Sequence, residues 1–149
     1  MIYVDMDGVI ADFKQWISSY EVFTEDDWRN TNKPWALMDE HIDTIYTDLK
    51  PLPDIVKFND MYNNMPGQVK FLSALPHTWY DDKFEIGYSN KSKWLHANID
   101  NFKDGDLICT RGSNDKIRYC DIGDTLYDDR IDIIERWNDA GGIGIHVKN

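Results

Sequence analysis

Asp5 and Asp7 stand one residue apart directly after the apolar run Ile2-Tyr3-Val4, and Gly8 follows them. A strand that ends in a sharp turn leaves both carboxylates on one side of its carboxyl end, where α/β sheets bind ligands. Two carboxylates at roughly 4 Å and an effective dielectric near 20 repel by about 4 kcal/mol, so such a pair holds a proton or a cation. Oxygen donors favour a hard ion such as Mg2+. An acidic turn closing a strand is the plain alternative, since Asp and Gly are ordinary turn residues. A second acidic pair, Asp128-Asp129, follows the β-prone Thr125-Leu126-Tyr127 and weighs against that alternative. Neighbouring parallel strands bring their ends to one edge, so acids about 120 positions apart can meet around one ion.

Five short apolar runs read as the strands that would position these groups: Ile2 to Asp5, Val69 to Leu72, Leu107 to Thr110, Thr125 to Tyr127, and Ile143 to Val147. Lys91 to Ile99 and Ile131 to Asn138 carry apolar residues at helical spacing. Alternating strands and helices predict an α/β fold, a Rossmann-like three-layer core around a parallel sheet. Between about Ala11 and Pro66 no strand is expected. Pro34, Pro51 and Pro53 punctuate that stretch, and Leu49 to Pro53 reads as a return into the sheet. The expectation is one domain over 1–149, with a core of about 1–12 and 67–149. A small helical cap, about 13–66, is inserted after the first strand and lies over the cleft.

At 149 residues and 42% hydrophobic content the chain suits one domain with a real core. Six Trp, eight Tyr and six Phe exceed what a minimal core needs, so some are expected to line a binding surface. Sixteen Lys and Arg against 27 Asp and Glu give a net charge of -11, which repels phosphate polymers and leaves no basic stripe for nucleic acid. A small anionic ligand would need a metal or a locally positive pocket. Cys109 and Cys120 lack zinc spacing, and no apolar run is long enough to cross a bilayer. No signal-peptide pattern opens the chain, so a cytoplasmic protein is expected. His41, His77, His96 and His146 are scattered without ligand spacing and read as structural or exposed.

Asp5-Met6-Asp7-Gly8-Val9-Ile10-Ala11-Asp12-Phe13 resembles the first motif of the haloacid dehalogenase superfamily, and more narrowly of the 5′(3′)-deoxyribonucleotidases. Asp48-Leu49-Lys50-Pro51-Leu52-Pro53 resembles that family's return from cap to core, and Ser73 is placed at the end of the second strand. Cys109-Thr110-Arg111 with Lys116, then Leu126-Tyr127-Asp128-Asp129-Arg130, resemble its third and fourth motifs. The chain departs from the pattern where Ala74-Leu75-Pro76 follow Ser73. It departs again where Gly112-Ser113-Asn114 precede Asp115-Lys116.

The resemblance implies that Asp5 attacks phosphorus and becomes an aspartyl-phosphate, while Asp7 handles protons at its side chain. It implies Mg2+ on the Asp5 carboxylate, the Asp7 carbonyl and Asp129, with Asp128 in support. Ser73, Lys116 and backbone near Gly8 would hold the phosphate. Lys91 and Lys93 compete for the lysine role but rank below Lys116, because they precede Trp94 on a helix where exposed lysines are expected. Among the cap aromatics, Phe13, Trp16, Trp35 and Tyr46 are candidates to face a nucleobase, although most such rings form the cap's own core. The reading is a Mg2+-dependent phosphatase of mononucleotides, without a stable nucleic-acid or membrane partner, its oligomeric state open. A phosphatase of another small phosphomonoester or of a nucleic-acid 3′ end is the rival, as is a catalytically silent binding member.

Overall fold

The computed structural model describes residues 1–148 as one parallel sheet with helices on both faces and further helices over the strand ends. The strands are β1 (Ile2–Val4), β2 (Val69–Leu75), β3 (Leu107–Arg111), β4 (Thr125–Asp128) and β5 (Ile143–His146), in the spatial order β3-β2-β1-β4-β5. The helices are α1 (Phe13–Ser18), α2 (Glu25–Asn30), α3 (Lys33–Glu40), α4 (Ile55–Asn64), α5 (Asp81–Asn98) and α6 (Ile131–Asp139). All five runs expected as strands form the sheet. β2 continues to Leu75, so Ser73 lies inside the strand instead of closing it.

Side-chain alternation assigns the two faces. Tyr3, Leu72 and Leu126 pack with Ile133, Ile134 and Trp137 of α6, where the Trp137 ring meets Tyr3 edge-on at 5.6 Å. The next residues along the strands, Val4 and Phe71, face the other way, onto Phe58 and Tyr62 of α4 and Trp94 and Leu95 of α5. Val4 is in register with Phe71 on one side and Tyr127 on the other, so one further step along β1 and β4 sets Asp5 beside Asp128.

The chain leaves the sheet after β1 and returns through a short antiparallel pairing. Asp12 N–H donates to Lys50 C=O and Leu52 N–H to Ile10 C=O, each at 2.8 Å. Helices α1 to α3 lie between these two crossings. The segment expected as cap, 13–66, is therefore divided, because α4 packs on the sheet itself. Phe58 meets the Tyr127 ring at 5.0 Å and Tyr62 meets Phe71 at 5.7 Å. These two residues, four apart, present one narrow apolar stripe.

Helix α5 fastens the insertion to the core. Asn90 Nδ2 donates to Ile42 C=O at 2.9 Å, Trp94 Nε1 to Leu49 C=O at 2.7 Å, and Trp79 Nε1 to the Asp39 carboxylate. Lys83 reaches the second oxygen of Asp39 at 3.4 Å. Among the described residues no helix is long and apolar enough to cross a membrane.

Candidate active site

Parallel pairing sets the first three acids. Asp5 N–H donates to Tyr127 C=O at 2.9 Å, and Asp5, Asp128 and Asp129 each bring a carboxylate oxygen within 4.8 Å of the others. Asp5 and Asp128 are buried, while Asp129 opens to the cleft. The buried Lys116 ammonium lies 2.9 Å from Asp5 Oδ1 and 2.8 Å from Asp128 Oδ2. Arg130 N–H donates to Asp128 Oδ1 at 3.0 Å, so both oxygens of Asp128 are engaged. Asp128 thus anchors Lys116, leaving Asp129 as the acid presented outward.

One ammonium cannot neutralise three carboxylates, so burial and the surplus negative charge act together on Asp5 and Asp129. Burial and then the Asp128 charge raise the Asp5 carboxyl well above the ordinary range, against the opposing pull of Lys116. Partial burial and Asp128 push Asp129 up to about 6. Burial alone would lower the Lys116 ammonium, but Asp5 and Asp128 outweigh it and raise it. A divalent cation fits this donor set: the ligands are hard oxygens, and their net charge calls for a further positive charge. Gly8 leaves the space for it. Its φ is +83°, and a Cβ there would lie 2.1 Å from Asp129 Oδ2. The Gly8 N–H itself donates to Ala11 C=O at 2.9 Å.

Asp7 sits beside this cluster and has its own cation. Lys91 Nζ lies 3.2 Å from Asp7 Oδ2, 3.0 Å from Ala74 C=O and within hydrogen-bond reach of Ser73 Oγ. It also stands 4.2 Å from the Tyr46 ring centroid, a cation–π contact. Among the described residues the other carboxylate oxygen, Asp7 Oδ1, is buried without a hydrogen-bond partner.

Lys91 is fully buried where an exposed lysine was expected, whereas Lys93 is exposed. The signal was present in the spacing. Position 91 falls four residues after Gly87 and three and four before Trp94 and Leu95, all on the buried face of α5. Ser73 is corrected too: it is fully buried, absent from the cleft wall, and turned toward Lys91 on the α5 side of the sheet.

Above these groups opens a cleft of about 1200 Å³. Asp5, Asp7, Lys116 and Asp129 lie at its base, and Phe13, Trp28, Trp35 and Tyr46, with Met38 beside them, form an aromatic wall from the insertion. Trp28 and Trp35 meet edge-on at 5.3 Å, and Tyr46 stacks on Phe13 at 6.4 Å. Trp16, expected on this wall, is buried against Phe13, Tyr20 and His41 and belongs to the insertion's own core. Arg111, noted only as part of the third motif and given no role from sequence, also lines the cleft.

Neither protein-family models nor curated proteins give a match to this sequence. Two solved structures are similar in outline. A hydrolase from Streptococcus pneumoniae TIGR4 is 12% identical with a TM-score of 0.49, over 99% of this chain and 92% of that one. The HAD domain of effector protein Lem4 from Legionella pneumophila is 16% identical with a TM-score of 0.43, over 99% of this chain and 85% of that one. Neither likeness bears on activity.

Proposed function

We propose that this chain is a Mg2+-dependent phosphomonoester hydrolase of the haloacid dehalogenase type that acts through an aspartyl-phosphate and takes nucleoside monophosphates. The observation that carries the reading is the division of labour between two acids at one strand end. Asp5 is held among carboxylates on Lys116. Asp7 has one oxygen on Lys91 and the other buried without a partner.

In the first step an Asp5 carboxylate oxygen attacks phosphorus, and the bond from phosphorus to the ester oxygen breaks. Protonated Asp7, on the cleft wall, gives its proton to that leaving oxygen. In the second step water attacks the phosphorus of the aspartyl-phosphate while Asp7 takes its proton. The bond from phosphorus to Asp5 breaks, inorganic phosphate leaves, and both acids return to their starting states. Lys116 offsets charge on nucleophile and phosphate, and Lys91 keeps Asp7 turned into the cleft. A bound Mg2+, held by Asp5, Asp129 and the Asp7 carbonyl with Asp128 behind them, would lower the repulsion between phosphate and Asp5. The aromatic wall supports the nucleotide assignment, because a base stacked on one ring gains about 1 to 3 kcal/mol.

A panel of phosphorylated metabolites, assayed for phosphate release with Mg2+ and with excess chelator, tests the reading. Among the monophosphates of the panel, those of deoxyribonucleosides should lead, with turnover lost in chelator and in Asp5→Asn protein. Hydrolysis that survives chelation or Asp5→Asn would refute the mechanism, and a lead by sugar phosphates would refute the substrate class.

A further inference from the structure

Arg111 ends β3 at the rim of the cleft, and its guanidinium lies over two rings, 4.8 Å from the Tyr80 centroid and 5.2 Å from that of Phe84. In a chain where acids outnumber bases 27 to 16, a cation without a carboxylate needs explaining. The other arginines and the buried lysine on the cleft wall are committed. Lys116 is on Asp5 and Asp128, Arg29 on Glu25 at 2.6 Å, and Arg130 on Asp132 at 2.7 Å. Lys14 is exposed, and among the described residues it has no ion pair or ring contact to orient it. Arg111 is the cleft cation among the described residues that is both oriented and uncommitted to an acid. Rings against the guanidinium face hold its plane and leave the edge N–H groups for a planar or tetrahedral anion.

The position has a definite relation to the reacting atoms. Two strand spacings, roughly 10 Å, separate β3 from β1, where Asp5 stands. An anion held by Arg111 is therefore a second group on the substrate, distinct from the phosphate over Asp5. We infer that Arg111 is a specificity residue for a second phosphate, so that the preferred substrate is a bisphosphate such as a deoxyribonucleoside 3′,5′-bisphosphate. This rests on the phosphomonoesterase reading and narrows its substrate.

The test compares kcat/KM for thymidine 3′,5′-bisphosphate with that for dTMP, and for 1,6-hexanediol bisphosphate with that for hexanediol monophosphate. Wild-type protein should prefer the bisphosphate in each pair by about 10-fold or more, the worth of a charge-assisted hydrogen bond. Arg111→Gln should collapse the ratio toward 1, Arg111→Lys should retain part of it, and added salt should shrink it. Calorimetric binding of the same ligands to Asp5→Asn protein repeats the comparison without turnover. A preference in the diol pair alone would keep the Arg111 subsite and remove the nucleotide reading. Equal use of mono- and bisphosphates by wild type, or a preference that survives Arg111→Gln, would overturn the inference.

Discussion

Lys116 reaches two of the three clustered carboxylates, and Lys91 reaches Asp7, so the two lysines divide the site's negative charge between them. Lys116→Ala leaves Asp5 and Asp128 buried without their cation. The expected cost is about 3 to 5 kcal/mol in metal-free protein, read by denaturant unfolding, with part restored by Mg2+. Turnover should fall on the order of 10² to 10³. Gly8→Ala puts a methyl onto Asp129 and should raise the Mg2+ concentration for half-maximal rate by about 10- to 100-fold. Asp129, raised to about 6, also sets a pH dependence in metal-free protein. A carboxyl with a raised folded pKa contributes stability below its unfolded value, and that contribution is lost as pH rises through about 6. Wild type should therefore lose stability relative to Asp129→Asn between about pH 4 and 6, as thermal melts would show, and bound Mg2+, which favours the ionised carboxylate, should remove this loss. Asp5, Asp7 and the last acidic pair were legible because each follows a short strand. The burial of Lys91 was not, because a lysine on a helix is ordinarily exposed and only its spacing to Gly87, Trp94 and Leu95 marks it as inward.

Helix α5 is the element that joins the chemistry to the insertion, through Asn90, Lys91 and Trp94. Asp39 accepts from the buried Trp79 indole and pairs with Lys83, so it ties α3 to the segment leading into α5. Asp39→Ala would leave the Trp79 N–H unpaired and should cost about 1 to 3 kcal/mol. Hydrogen exchange should then quicken in α3 and at the Ile45 amide while protection in β1 and β2 stays; unchanged exchange in the insertion would show that the tie is idle. The strands were readable from short apolar runs. The limit of the insertion was not, since half of α4 is polar and its buried stripe is only Phe58 and Tyr62. Likewise Trp16 and Trp35 look alike in sequence, and only packing sends one inward and the other to the cleft.

At the scale of the whole molecule, a net charge of -11 opposes long-range attraction of a phosphate polymer, whose binding by counterion release needs clustered Lys and Arg. A small ligand needs only the local cations of the cleft. At matched concentration and moderate salt, dTMP should be hydrolysed in clear preference to a 3′-phosphorylated oligonucleotide, and the reverse order would move the protein to nucleic-acid ends. The layered sheet brings acids from both ends of the chain to one edge, and the central claim is that Asp5 uses that edge to take up phosphate covalently. Borohydride reduction during turnover converts an aspartyl-phosphate into homoserine, which peptide mass spectrometry locates. Homoserine at position 5, formed only with substrate present and absent from Asp5→Asn protein, is the predicted result. Sustained turnover with Asp5 unmodified, or with modification at another aspartate, would contradict it.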